Sequence, residues 1–486
     1  MLRAFAAGRR ARSFARVPAV ACILLLLVLP AAPVSAALHP MGAPPVDGPS
    51  SKDTRTISNA STPELAVYGV WAVISIGSAG IAWITLSWMV QAWRTPATLR
   101  RTRFAGDAEP VEHSFSLLVP ARHEEQVLGT TLDTLARLDH PDFEILAIIG
   151  HDDGATRAVA EAAAARNDNV RVVIDHSWPK SKPKGLNTAL PVCGGDVVGV
   201  FDAEDEVHPG LLRRVDRLFQ TSGAHVVQGG VQLMNYRSSW YSLRNVLEYF
   251  FWFSSRLHFH ARQRFIPLGG NTVFVRADVL RAVGGWDPEC LAEDCELGVR
   301  LSVLGAKTEV AYESEIVTRE ETPHSIRELV KQRTRWSQGF LQVLRAGHWR
   351  RLPPRQRLLG AYTLATPFLQ AFSGLLIPLA FATAFLLKAP VVVVLITFLP
   401  LAPMLIILAV EIAALGQFCR SYGQRARLYD YVRLVLGFFP YQLLLSYAAV
   451  RAAAREVFGV RNWEKTAHVG AHLESRQAPS DTPVNA

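Results

Sequence analysis

Cysteine is scarce in this chain. There are five in 486 residues, Cys22, Cys193, Cys290, Cys295 and Cys419, and no two form a C-x-x-C pair. That excludes a disulfide scaffold and gives no zinc or redox motif. Charge is also scarce: 19% of residues are charged, against about 25% in an ordinary soluble domain. With 50% hydrophobic residues, the chain has too much to bury for disorder to be its main theme. Lysine is almost absent among the bases, with 8 Lys against 43 Arg. The net charge of +9 calls for an anionic partner: a membrane surface, a phosphorylated substrate or nucleic acid. Basicity does not choose among the three. The length allows about two to four domains.

The apolar residues gather at the two ends. Arg3, Arg9, Arg10, Arg12 and Arg16 precede an apolar run over 17–29, then Pro30 and the small residues Val34-Ser35-Ala36. This pattern predicts a signal peptide or an uncleaved first membrane helix within 1–37. Residues 38–63, rich in Pro, Ser, Gly and Asp, predict an extracytoplasmic linker. Residues 65–93 carry no charge, and Trp71, Trp83, Trp88 and Trp93 lie along them, which predicts a transmembrane helix over 64–93. Arg94, Arg100, Arg101 and Arg103 follow and place that side in the cytoplasm. About three further spans are expected in 358–452, at 358–387, 390–418 and 434–450, followed by a polar tail over 453–486. Glu411 is the one acid inside these runs, expected to face other helices or the membrane edge. Arginines flank the last segment on both sides. A single crossing there conflicts with the charge rule, and a re-entrant segment broken at Gly437 and Pro440 would remove the conflict.

Between the ends, strands at 115–120, 143–149, 170–174 and 197–201 alternate with helices at 125–138 and 156–166. The alternation predicts a parallel α/β sheet with right-handed crossovers. Ligands bind beyond the carboxyl ends of such strands. There the sequence places Arg122, Glu124 and Glu125, then Asp152 and Asp153, then Asp202-Ala203-Glu204-Asp205. Strand-end acids often cap the next helix. Three such sites on one sheet point instead to a hard divalent cation, Mg²⁺ or Mn²⁺, with a substrate phosphate. Lys180, Lys182 and Lys184 form a solvated loop or a contact to a diphosphate. Glu293, Asp294 and Glu296 open a helix with an apolar face of Leu297, Leu301 and Leu304. The helix dipole favours acids there, and a general base is the chemical reading. Gln332, Arg335 and Trp336 fall on nearby helical positions. They suit a phosphate clamp with a sugar-stacking ring, or an amphipathic helix on the membrane surface. His258 and His260 sit among aromatics and read as packing, not ligation.

Asp152-Asp153, Asp202-Ala203-Glu204, Glu293-Asp294 and Gln332-Arg333-Thr334-Arg335-Trp336, in this order and with apolar runs on both sides, resemble the motifs of the membrane-bound family 2 glycosyltransferases. Cellulose, hyaluronan and poly-N-acetylglucosamine synthases belong to that group. The resemblance covers roughly residues 113–345 and the flanking helices. It implies an α/β GT-A-type, Rossmann-like cytoplasmic domain over 94–357 flanked by transmembrane α-helices. It further implies an inverting transfer from a nucleotide-diphosphate-sugar, with a UDP-sugar as the expected donor, to a glycan or lipid acceptor, at the cell membrane and with no nucleic acid polymer as partner. By the same resemblance Asp152 or Asp153 contacts the nucleoside. Lys184, Asp202, Gln332 and Arg335 bind the donor, and Asp202 and Glu204 hold the metal. Glu293 and Trp336 meet the acceptor, and Asp294 is the base. The family's second D-x-D aspartate is Glu204 here. The expected activity is processive polysaccharide synthesis. The alternatives are single-sugar transfer to a lipid or glycan, or a non-enzymatic receptor with a degenerate transferase domain.

Overall fold

A computed structural model describes residues 61–94, 110–386 and 389–464. The proposed leader, nearly all of the linker, Arg100, Arg101, Arg103 and the end of the tail lie outside the described residues.

The sheet follows from apolar alternation. In β1 (Phe115–Ala121) the side chains of Phe115, Leu117 and Val119 enter one core and Leu118 enters another. β2 (Phe143–Gly150) repeats this, with Ile145, Ala147 and Ile149 on one face and Leu146 and Ile148 on the other. A sheet buried on both faces needs helices on both. They are α2 (Leu128–Leu135), α3 (Gly154–Ala164), α4 (Lys182–Ala189) and α5 (Leu211–Ser222). β3 (Val170–Asp175) and β4 (Val197–Val200) complete the expected set.

The seven-stranded order is β3-β2-β1-β4-β7-β5-β8. It includes β5 (Val226–Gly229), β7 (Val273–Arg276) and β8 (Thr308–Ala311), which sequence reading did not mark. The sheet is not wholly parallel as expected: β7 runs antiparallel to both β4 and β5. A second, two-stranded sheet pairs β6 (Val231–Leu233) with β9 (Thr318–Glu320). The chain leaves β1 in one direction for β2 and β3 and returns to its other side as β4, so β1 and β4 flank the switch point where such folds bind ligands.

Among the described residues three helices are long and apolar enough to cross a membrane. They are α1 (Thr62–Gln91); α11 (Pro354–Leu386), with Pro367 and Pro378 inside it; and the stretch 391–421. The last comprises α12 (Val391–Phe398) and α13 (Leu401–Ser421). The last apolar segment is a pair, α14 (Leu428–Leu436) and α15 (Phe438–Val457), bent by 47° at Gly437, one of the two positions where a break was expected. Pro440 falls in the first turn of α15, where a missing N–H costs nothing.

The domain is tied to these helices by α6 (Ser242–Phe251), which continues through a π-helical segment, Trp252–Arg256, into α7 (Leu257–Arg262). Arg244 on α6 meets both carboxylate oxygens of Glu411 on α13, at 2.9 and 3.1 Å, and donates to the Leu434 carbonyl on α14 at 2.7 Å. The side chains are 6% and 15% exposed. Glu411 thus faces inward to a specific partner. Removing one member of such a pair strands the other charge, at about 3–5 kcal/mol. Glu411→Gln is therefore expected to lower the melting midpoint and the monodisperse yield in detergent. The double variant Arg244→Met/Glu411→Leu should recover much of the loss. Equal melting of Glu411→Gln and wild type would show that the pair does not hold the helices.

Candidate active site

The carboxyl ends of β1 and β4, the start of α9 (Glu293–Val303) and the middle of α10 (Ile326–Ala346) enclose a cavity of about 1250 Å³. Asp202, Glu204, Glu293, Asp294, Gln332, Arg335, Trp336 and Lys184 all line it. The approach of α10 depends on Gly339. A Cβ there would lie 2.4 Å from the Cβ of Ala292, the residue before Glu293. Gln332, Arg335 and Trp336 share a face because they lie three and four residues apart. Arg333 also lines the cavity, stacks on the Trp336 ring at 4.7 Å and bonds Glu248 and Asn245.

The electrostatics is that of too many acids in one place. Burial pushes the Glu293 and Asp294 carboxyls above the usual carboxylate range, and in each the charges of Lys182 and Arg335 oppose it. The charge of Asp294 lifts Glu293 further. Lys182, the first residue of α4, donates to Asp202 and, at 2.8 Å, to the Gly270 carbonyl. Burial works against its charge, yet Asp202, Glu293 and Asp294 outweigh that and hold its pKa above the ordinary lysine value. Gly270 is a glycine for the same reason of space. A Cβ there would meet Asp294 Oδ2 at 3.0 Å and Lys182 Nζ at 3.6 Å. Of the three lysines, Lys182 is the one at the centre. Lys180 turns to Asp175, and Lys184 reaches Glu289 at 3.3 Å.

The two acids after Ala203 diverge. Glu204 lines the cavity. Asp205 is 1% exposed and accepts from the Asp202 N–H and from Asn271, each at 2.8 Å. Burial, with Glu320, Asp202 and Glu204 nearby, pushes its carboxyl far up. It shapes the turn that presents Asp202 and Glu204. Those two offer only oxygen donors, the set a hard divalent cation takes. Among the described residues no three His, Cys, Asp or Glu side chains converge on one point, so a cation held here would draw its remaining ligands from a diphosphate or water.

Asp152 and Asp153 do not line the cavity, but their partners Arg122 and His123 do. Asp152 makes a bidentate pair with Arg122, at 3.0 and 2.9 Å, whose hydrogen bonds pull its pKa to about 2. Asp153 is the N-cap of α3, accepting from Thr156 N, and it also accepts from His123 N at 2.6 Å. His258 and His260 lie in α7, and the His260 ring packs against Trp88, Trp252 and Phe265. Leu304 is 46% exposed at the C-terminal end of α9, so the apolar face of that helix stops at Leu301.

One contribution was not read from the sequence. After α15 the chain returns over the site. The Arg335 guanidinium lies 4.7 Å from the centre of the Trp463 ring and donates to the Glu464 carbonyl at 3.3 Å. Arg461, Asn462 and Trp463 line the cavity. An aromatic in a short polar stretch after the last apolar run was the available signal.

Residues 113–339 match a model described as glycosyltransferase like family 2. A β-monoglucosyldiacylglycerol synthase from Synechocystis sp. is 28% identical over 285 residues, 54% of this chain and 57% of that protein. A poly-β-1,6-N-acetyl-D-glucosamine synthase from Staphylococcus epidermidis is 25% identical over 244 residues, 48% of this chain and 56% of the relative. The chain spans about half the length of the curated relatives it matches. A mannosyltransferase from Pyrobaculum calidifontis, solved with GDP-Man and Mn²⁺, superposes over 80% of this chain and 99% of its own with a TM-score of 0.51 at 16% identity, a likeness of fold. The motifs on the sheet edge and the sequence match agree: residues 113–339 resemble a family 2 glycosyltransferase domain, and the α/β sheet is GT-A-like in fold.

Proposed function

We propose that the protein transfers one sugar from a nucleotide-diphosphate-sugar to a hydroxyl of a lipid acceptor, with inversion, on the cytoplasmic side of a membrane that its apolar helices cross. One observation carries this reading: the cavity does not end at the carboxylates. It continues between α1, α11, α13 and α15, where Ile81, Met89, Ile377 and Ile407 line it together with Ser78 and Gln370. A lining that mixes these apolar side chains with further polar ones such as Thr85, Thr366, Ser373 and Gln442 suits an amphiphile whose head lies at the site and whose chains lie among the helices. The name of the Synechocystis relative, a glycolipid synthase, supports it.

The proposed roles follow from the chemistry. The leaving group is a diphosphate, so positive charge must meet the negative charge that develops. Arg335 and Lys184 supply it, and Asp202 and Glu204 would hold the Mg²⁺ or Mn²⁺ that shields the diphosphate when bound. Arg122 and Asp152 sit at the β1 and β2 ends, where a nucleoside enters. Trp336, with Tyr249 at 6.3 Å between ring centres, offers stacking faces to the acceptor sugar or headgroup. Asp294 takes the acceptor proton. A carboxyl lifted by burial is a stronger base than a free one, and Lys182 keeps it ionised.

Product analysis tests the reading. Purified full-length protein, offered radiolabelled nucleotide sugars with a total lipid extract, is expected to move label into the organic phase as a single-sugar product. EDTA should abolish this, and Mn²⁺ or Mg²⁺ should restore it. Label in a high-molecular-weight aqueous polymer would favour processive synthesis, and no transfer with any donor would favour a receptor.

Asp294→Asn keeps shape and removes basicity. It is expected to bind the nucleotide sugar near normally and to transfer at least about a hundredfold more slowly. If Glu293→Gln is slow and Asp294→Asn is not, the base is Glu293.

Lys182→Met tests the electrostatics. With the cation gone, nothing at that position opposes the effect of burial on Asp294, whose pKa should rise further. The base must be ionised, so the acidic limb of kcat should move to higher pH. An unmoved limb would show that Lys182 does not set the ionisation of the base.

A further inference from the structure

Arg256 is a half-buried cation to which the roles above give no task. It closes the π-helical segment between α6 and α7. Such segments occur often at functional sites, where the extra residue re-aims a side chain. Here the segment sets the guanidinium between two indoles, 4.1 Å from the centre of Trp88 and 4.9 Å from that of Trp252. Ser255 bonds the Trp88 carbonyl and fixes this arrangement to α1.

Two indole faces offset part of the cost of burying a cation, but they accept no hydrogen bond in the guanidinium plane. Among the described residues Arg256 has no carboxylate partner, and its Nε is sealed from solvent without an acceptor. Burial draws its pKa down to about 10, with no carboxylate to hold it up. Other buried or half-buried arginines are treated differently. Arg244 has Glu411, Arg300 has Glu296 and Arg333 has Glu248. Arg256 and both indoles line the same cavity as Asp294. So does Thr363, whose hydroxyl is likewise sealed and unpartnered. The ring of its neighbour Tyr362 packs on Trp88 at 5.7 Å.

We infer that Arg256 is an anion subsite in the membrane-facing part of the cavity and holds the phosphate group of a phospholipid-type amphiphile whose far end reaches Asp294. The inference rests on the lipid-acceptor reading and names its chemical class. A guanidinium held by its faces presents its edge, the geometry that binds phosphate oxygens in pairs. The spacing also fits. Arg256 lies seven residues beyond Tyr249, roughly 10 Å along the helix, and Tyr249 packs beside Trp336. That is about the length of a headgroup with one sugar attached.

The test uses the full chain in dodecylmaltoside, immobilised and offered mixed micelles that contain radiolabelled phosphatidic acid or diacylglycerol at equal mole fraction. Wild type is expected to retain phosphatidic acid at least about tenfold better. Arg256→Gln should fall to the diacylglycerol level, and Arg256→Lys should keep part of the preference. Equal retention of the two lipids by wild type, or full retention by a monodisperse Arg256→Gln, would overturn the inference. If Arg256→Gln does not elute as a monodisperse species, wild type against Arg256→Lys decides. Displacement of phosphatidic acid by an equal concentration of inorganic phosphate would assign the subsite to a soluble anion and overturn the lipid assignment. Retention involves no transfer, so an inactive enzyme would sink the transferase reading while this result still stands or falls by itself.

Discussion

Like charge in a confined place is the constraint on which the site depends. Asp202, Glu204, Glu293, Asp294 and Glu320 line one cavity, and Asp205 stands close to it. Carboxylates so placed repel and lose hydration at once. The fold answers with Lys182 in the middle, Arg335 on the facing helix and Asn271 bridging Asp205 and Glu320. Each answer needs its own backbone: a helix starting at residue 182, a glycine at 270 to leave room and a glycine at 339 to let α10 come close. The acids are thereby poised, neither fully neutralised nor free to spread apart.

The same logic of paired charges couples the domain to its helices. Arg244–Glu411 joins α6 to α13. Arg333–Glu248, with Tyr441 donating to Glu248 at 2.9 Å, joins α10 to α6 and α15. Arg333 lies in the same segment as Gln332 and Arg335 and stacks on Trp336 at 4.7 Å. One helix therefore carries both the cavity-lining motif and the charge pair to α6.

Much of this was legible in the sequence. The four leading strands, the acids at their ends and the apolar spans followed from periodicity, which is local. The antiparallel β7 was not, because its four residues VFVR carry no signal of direction and only its pairing with β4 and β5 sets it. Nor was the choice among Lys180, Lys182 and Lys184. All three lie in one polar stretch, and the point at which α4 starts decides which one turns inward. Asp153 and Asp205 look in sequence like their neighbours Asp152 and Glu204. In the fold one caps a helix and the other shapes a turn, as burial and backbone N–H groups select. Trp463 lies far from the motifs in sequence and reaches them only because α15 brings the chain back.

The arginines around the last apolar segment pose a problem in sequence that the structure reframes. Arg451 and Arg455, both within α15, share Glu464, and Arg345 and Arg461 share Glu456. Two carboxylates thus offset part of the positive charge around the end of α15 within the protein. The α14–α15 pair also touches the domain along its whole length. Asp430 bonds Arg237, Arg433 bonds the Ser239 carbonyl, Tyr441 bonds Glu248, and Glu456 and the Val460 carbonyl receive Gln338. A helix of this length that left the domain to cross a bilayer would carry its far end roughly 30 Å away, beyond reach of such contacts. The pair runs beside the domain at these points, and the chain that follows it folds over Arg335.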